Sequence, residues 1–232
     1  MRLCLHRVGV PSGMKVEHLR MWNRKPKREE DHDPGNWDKF VALIYAAFRG
    51  GELAAPCACQ AVVMIPRVGG TYFRVIGLVG VIWKEISGII YCRLSSSIHF
   101  HDVLHGFRAA RGTGTVTLEA KLLQDIISMR EMALHSIFLD LRKSYYDLDR
   151  DRCLYTLEGY NMGPMKIRIL WTYWARLHMA ANVGGHYGPA FQSQRGVTQG
   201  DLFSHTIFNV VVDAIIRHWL TVVGVPQEGA GK

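Results

Sequence analysis

Ser136-Ile137-Phe138-Leu139-Asp140-Leu141 is a short apolar run broken by one carboxylate, and Arg142-Lys143 follows it at once. Runs of this length and composition, bounded by charge, fit a strand buried on both faces. The pattern predicts a buried strand over 136–141 that presents Asp140 at the rim of a sheet. A chain that must bury this segment needs other strands beside it and helices over it. That requirement narrows the fold more than any other stretch.

The rest of the sequence supplies those partners. Ala61 to Pro66 and Phe73 to Ile82 are β-rich runs around Gly69-Gly70, which predicts a hairpin. Val183 to Gln194, with Gly184-Gly185, predicts a second hairpin. Helical spacing predicts helices over 14–22, 37–49, 84–94, 118–132, 150–157, 165–179 and 206–220. Gly50-Gly51 ends the second of these, and Pro164 opens the sixth. Leu122, Leu123, Ile126 and Ile127 share one face of the helix over 118–132. Arg24 to Asp33 is a charged, proline-broken linker. Helices and hairpins are interspersed without regular βαβ alternation, which makes the class α+β.

Lys and Arg outnumber Asp and Glu 28 to 20, a formal charge of +8. An excess of that size favours a polyanionic partner through phosphate neutralisation and counterion release. From charge alone a soluble basic protein without nucleic acid is an equal alternative. The five cysteines are odd in number and scattered, which suits a reducing, intracellular compartment. Cys57 and Cys59 lack the second pair of a zinc knuckle, and His99, His101 and His105 read as loop or nucleic-acid-facing residues. Lys84 and Glu85 interrupt the most apolar stretch, so no membrane span is expected. The N-terminal residues lack the apolar core of a leader.

A strand-end carboxylate such as Asp140 is more often a turn or cap residue than a catalytic one. The chemistry it would serve is nucleotidyl transfer, which needs two cations about 3.5–4 Å apart, bridged by carboxylates from separate strands. Phe138-Leu139-Asp140-Leu141-Arg142-Lys143-Ser144-Tyr145 resembles motif A of reverse transcriptases of the non-LTR retrotransposon and group II intron type. Four further blocks are similar to that family in the same order. They are Pro11 to Leu19, Phe73 to Leu78, His105 to Thr113, and the motif B stretch Gln194 to Asp201.

The resemblance implies a right-hand polymerase: fingers over residues 1–130 and an incomplete palm over 131–232. It implies Asp140 and the Leu141 carbonyl as Mg²⁺ ligands, with Asp140 the catalytic carboxylate. Arg74, with Arg67 nearby, would grip the triphosphate of an incoming dNTP. Tyr145 would lie under its sugar and reject a 2′-hydroxyl. Gln199 and Gly200 would pack near the incoming nucleotide and the template, and Arg108 and Arg111 would contact nucleic acid. The implied partners are an RNA template and an RNA–DNA hybrid.

Three departures stand out. No Asp-Asp pair occurs anywhere, so the second carboxylate pair of the family is missing. Motif A reads Ser144-Tyr145-Tyr146-Asp147, which puts Tyr146 at the family's acidic position. Motif B holds Leu202 and His205 where the family favours proline, which frees the backbone near Gln199. One carboxylate cannot hold two divalent ions, so the expectation is a reverse-transcriptase-domain fragment without polymerase activity of its own. The alternatives are a non-catalytic RNA or RNA–DNA-binding remnant and a maturase-like protein.

Overall fold

The computed structural model describes residues 34–66, 69 and 72–224. The helix expected over 14–22, the whole of the charged linker and Arg67 lie outside them. The elements are α1 (Pro34–Gly50), a 3₁₀ turn (Ala55–Ala58), β1 (Cys59–Pro66), β2 (Phe73–Val79), α2 (Val81–Ser95) and α3 (Thr113–Met129). They continue as α4 (Arg150–Gly159), α5 (Pro164–Ala175), β3 (His178–Val183), β4 (His186–Gln192) and α6 (Ser204–Val222).

Both expected hairpins form. β1 and β2 pair antiparallel, with Ile65 opposite Arg74 and Gln60 opposite Val79. β3 and β4 pair antiparallel around Gly184-Gly185, whose φ angles of +61° and +88° are those of a two-residue turn that matches strand twist. What joins the hairpins is a parallel contact of β1 with β3, Cys59 opposite His178. The four strands therefore form one mixed sheet in the order β2-β1-β3-β4. The helix expected over 165–179 stops at Ala175, because His178 onward is drawn into this parallel pairing.

One apolar core runs through α1, α2, α4, α5 and α6. Helix α2 presents Trp83, Ile86, Ile90 and Leu94 to it, spaced by three and four residues and wholly buried. Each such side chain contributes roughly 1.5–3 kcal/mol of burial. Tyr173 of α5 stacks on Trp83 with ring centroids 3.5 Å apart. Helix α4 starts at Asp149, whose carboxylate accepts the Arg152 N–H at 3.0 Å.

The expected strand over 136–141 fails to form: Phe138 is 94% and Leu139 89% exposed, and the segment pairs with no strand among the described residues. Side-chain pattern gives strand propensity, but a strand exists only where another edge takes its N–H and C=O groups. Both flanks of β1 are already occupied, by β2 and β3. Helix α3 buries none of its residues, so Leu122, Leu123 and Ile126 face outward. It is tethered at its start instead, where buried His105 lies 3.0 Å from Thr115 Oγ1 and 3.1 Å from Glu119.

Candidate nucleotide-facing site

The edge strand β2 organises the site. Val75 and Gly77 have the same parity, so their backbone polar groups leave the sheet on the side away from β1, where no strand follows. Two other segments take those groups. The Gly77 N–H donates to the Gln199 carbonyl at 2.9 Å. The Val75 carbonyl accepts from the Tyr146 hydroxyl, which also lies 3.1 Å from Gln199 Oε1. Residues 71 or more positions from their β2 partners in the chain thus close one edge of the sheet, which would otherwise be open for pairing.

Glycines permit the approach. A Cβ on Gly200, at φ +123°, would sit 2.6 Å from the Gly77 carbonyl oxygen, and a Cβ on Gly77 would sit 2.1 Å from the Thr198 methyl. The same loop is stitched to the motif A turn. Gly196 N–H donates to the Leu148 carbonyl and Val197 N–H to the Tyr145 carbonyl, both at 2.8 Å.

Three groups hold the loop from below, Arg150 half-buried and the other two buried. Arg150 donates to the carbonyls of Ser193 (2.5 Å), Gly196 (2.9 Å), Arg195 (3.2 Å) and Trp174 (3.3 Å), and to Ser193 Oγ (2.7 Å). Burial lowers its guanidinium pKa to about 10, so it stays charged at neutral pH. Thr198 donates to Gln60 Oε1 at 2.9 Å, and Gln60 Nε2 donates to the Tyr173 hydroxyl. Asp201 accepts from Trp83 Nε1 (3.0 Å) and Ser87 Oγ (2.8 Å), while burial pushes its carboxyl up from the ordinary range. A fourth group, the buried Asp213 of α6, accepts the His101 N–H and Arg217 Nε, both at 2.6 Å, and the Tyr160 hydroxyl.

The expected site residues are distributed as follows. Tyr145 is half-buried and stacks on Phe208 with centroids 5.1 Å apart, and burial raises its phenol. Arg74 stands exposed on β2, next to Val75. Gln199 and Gly200 lie on the β2 edge. Asp140 and Leu141 are exposed in the unpaired segment, not at a sheet rim. Arg108 donates to the His101 (3.0 Å) and Leu104 (2.9 Å) carbonyls, and Arg111 pairs with Asp102 at 2.6 Å, so both guanidinium groups are engaged within their own loop. Arg150, Asp201, Asp213 and Tyr146 carry the site's framework without having been singled out for it. In sequence a buried Arg or Asp looks like any solvated one.

Among the described residues no group of three metal-ligating side chains comes together. The donor set reduces to the Asp140 carboxylate and a neighbouring carbonyl, which does not fit a pair of divalent cations. A cleft of about 530 Å³ lies beside the loop, lined by Asp147, Arg150, Trp171, Trp174 and Arg195 among others, and it includes neither Asp140 nor Gln199. No described helix is long and apolar enough to cross a membrane.

The arrangement has relatives. Residues 65–226 match the family model described as reverse transcriptase (RNA-dependent DNA polymerase). The chain is 22% identical over 192 residues, 78% of its length, to an uncharacterized 149 kDa protein of transposon TX1 from Xenopus laevis. It is 27% identical over 164 residues, 67% of its length, to a retrovirus-related Pol polyprotein of the type-1 retrotransposable element R2 from Nasonia vitripennis. It is 24% identical over 155 residues, 66% of its length, to the corresponding type-2 R2DM polyprotein of Drosophila melanogaster. These matches cover only 14%, 16% and 14% of the respective relatives. With the match spanning most of its length and including β2, the motif A turn and the motif B loop, the chain belongs to the reverse transcriptase family.

Proposed function

We propose that this chain is the part of a retrotransposon-type reverse transcriptase that receives the templating strand and the incoming nucleotide, and that it binds an RNA–DNA primer–template without extending it alone. What supports this reading is the closure of the β2 edge by Tyr146 and Gln199, with Arg74 next to Val75 on that strand and Tyr145 next to Tyr146 in the chain. In this reading residues up to 130 act as fingers and those from 131 as palm. Arg74 meets the triphosphate of a dNTP as a cationic donor, a role shared in this reading by Arg67, which lies outside the described residues. Tyr145 packs under the sugar, held flat by Phe208. Gln199 and Gly200 face the template and the nucleotide. Arg108 and Arg111 position the duplex through the loop they brace, and the +8 charge supplies a salt-sensitive attraction to phosphates.

Asp140 and the Leu141 carbonyl are one half of a magnesium site in this reading. The ligands present among the described residues do not complete it. The chain is offered a primed RNA template with dNTPs and Mg²⁺. Binding without extension is the expected result. Extension that Asp140→Ala abolishes would overturn the claim that further carboxylates are required.

A further inference from the structure

We propose that Tyr146 is a positioning residue for Gln199, a role that rests on the reading of Gln199 as a nucleotide- or template-facing side chain. Position 146 is a tyrosine, so it brings no charge to the site and instead offers a hydroxyl. That hydroxyl reaches the Val75 carbonyl and Gln199 Oε1 together, its single proton shared between two oxygens in a three-centre bond. A Cβ on Gly196 would lie 2.4 Å from the Tyr146 carbonyl oxygen, which shows how closely the backbone of residue 146 abuts the loop.

The consequence is directional. With its main-chain carbonyl bound to Gly77 and its side-chain Oε1 turned to the phenol, Gln199 is held at both ends to the strand carrying Arg74. Its amide N–H₂ group is left as the donor directed away from that anchor. A carboxylate at position 146 would repel phosphates and could not donate to Oε1 unless protonated. The phenol does the opposite: it fixes the carboxamide and adds no negative charge beside it. The ligand chemistry this selects is an acceptor atom of a base or sugar on a nucleic-acid strand lying over the β2 edge.

The test uses the full chain and a fluorescein-labelled RNA template annealed to a DNA primer, followed by anisotropy and thermal melting. Tyr146→Phe removes one hydroxyl and is expected to weaken binding about fivefold, the effect of one hydrogen bond. Gln199→Ala should weaken it by a similar or larger factor, and the double variant should be no weaker than Gln199→Ala alone, because both act through one contact. A loss with Gln199→Ala but none with Tyr146→Phe overturns the positioning role. So do additive losses in the double variant, or a Tyr146→Phe that lowers the melting temperature while leaving affinity intact. No loss with Gln199→Ala sinks the underlying reading of Gln199 itself. Should Tyr146→Phe fail to melt cooperatively, the Gln199 side-chain amide protons in the unaltered chain decide by NMR. Two well-separated, slowly exchanging resonances are expected, and a pair at free-glutamine positions overturns the proposal.

Discussion

Gly200→Ala probes the loop-to-strand contact on which the site depends. The added methyl would lie 2.6 Å from the Gly77 carbonyl oxygen, a separation that real Cβ atoms do not adopt. The obstacle is backbone, so no side chain can rotate aside. The loop must lift from β2, breaking the 2.9 Å bond from Gly77 N–H to the Gln199 carbonyl, a loss of about 1 kcal/mol. Alanine must also enter φ +123°, which only glycine adopts readily, at a further cost of roughly 1–3 kcal/mol. The sum is about 2–4 kcal/mol, or a fall in melting temperature of about 5–15 °C for a chain of this size. Gly88→Ala is the control. It lies inside α2 with nothing within 4 Å of the new methyl, so it should stabilise by about 0.5–1 kcal/mol. The assay is thermal melting by circular dichroism. A Gly200→Ala variant that melts within about 2 °C of the unaltered chain would refute the contact, since even 1 kcal/mol moves a domain of this size that far.

Arg150→Met removes the donor set that gathers the Ser193, Arg195 and Gly196 carbonyls. It should destabilise by about 3 kcal/mol in urea melts, and Arg150→Lys should recover little because an ammonium cannot span the same fork. Burial holds His205 below its ordinary pKa of 6.5 between Tyr91 and Phe107. The unfolded chain therefore binds the extra proton first, and this contribution to stability is present above pH 6.5 and lost as pH falls through the lower folded value. Melting temperature should drop from pH 7.5 to 5.5, and His205→Gln should flatten that slope; an unchanged slope would exclude His205 as its source. Phe138→Ser with Leu139→Ser should leave the melting temperature within about 2 °C, because both side chains are almost fully exposed. A large loss would place them in a core and restore the buried strand that the pattern implied.

Much of the architecture was readable from pattern. Gly69-Gly70 between β-rich runs gave the first hairpin, Gly184-Gly185 gave the second, and helical spacing over 84–94 gave most of α2. The parallel pairing of β1 with β3 left no trace, because it joins segments over a hundred residues apart and needs no special residue at either. Residues 136–141 misled for the converse reason: their composition suits a strand, but pairing belongs to a partner edge and not to the segment. At the site, the motif residues Tyr145, Gln199 and Gly200 were legible as words in a family pattern. Tyr146 was noticed as a departure, while its bond to Val75 could be seen only once β2 had an outer edge to close. Arg150, Asp201 and Asp213 escaped because charge, unlike hydrophobicity, carries no periodic mark of burial.

The most direct test of the nucleotide-facing seam is the affinity of the chain for an RNA-template, DNA-primer duplex measured across salt, alongside Arg74→Ala and Gln199→Ala. Steep salt dependence is expected, with Arg74→Ala lowering the slope by about one counterion and Gln199→Ala weakening binding at every salt concentration without changing the slope. Binding that ignores both substitutions, or no binding at low salt, would contradict the account.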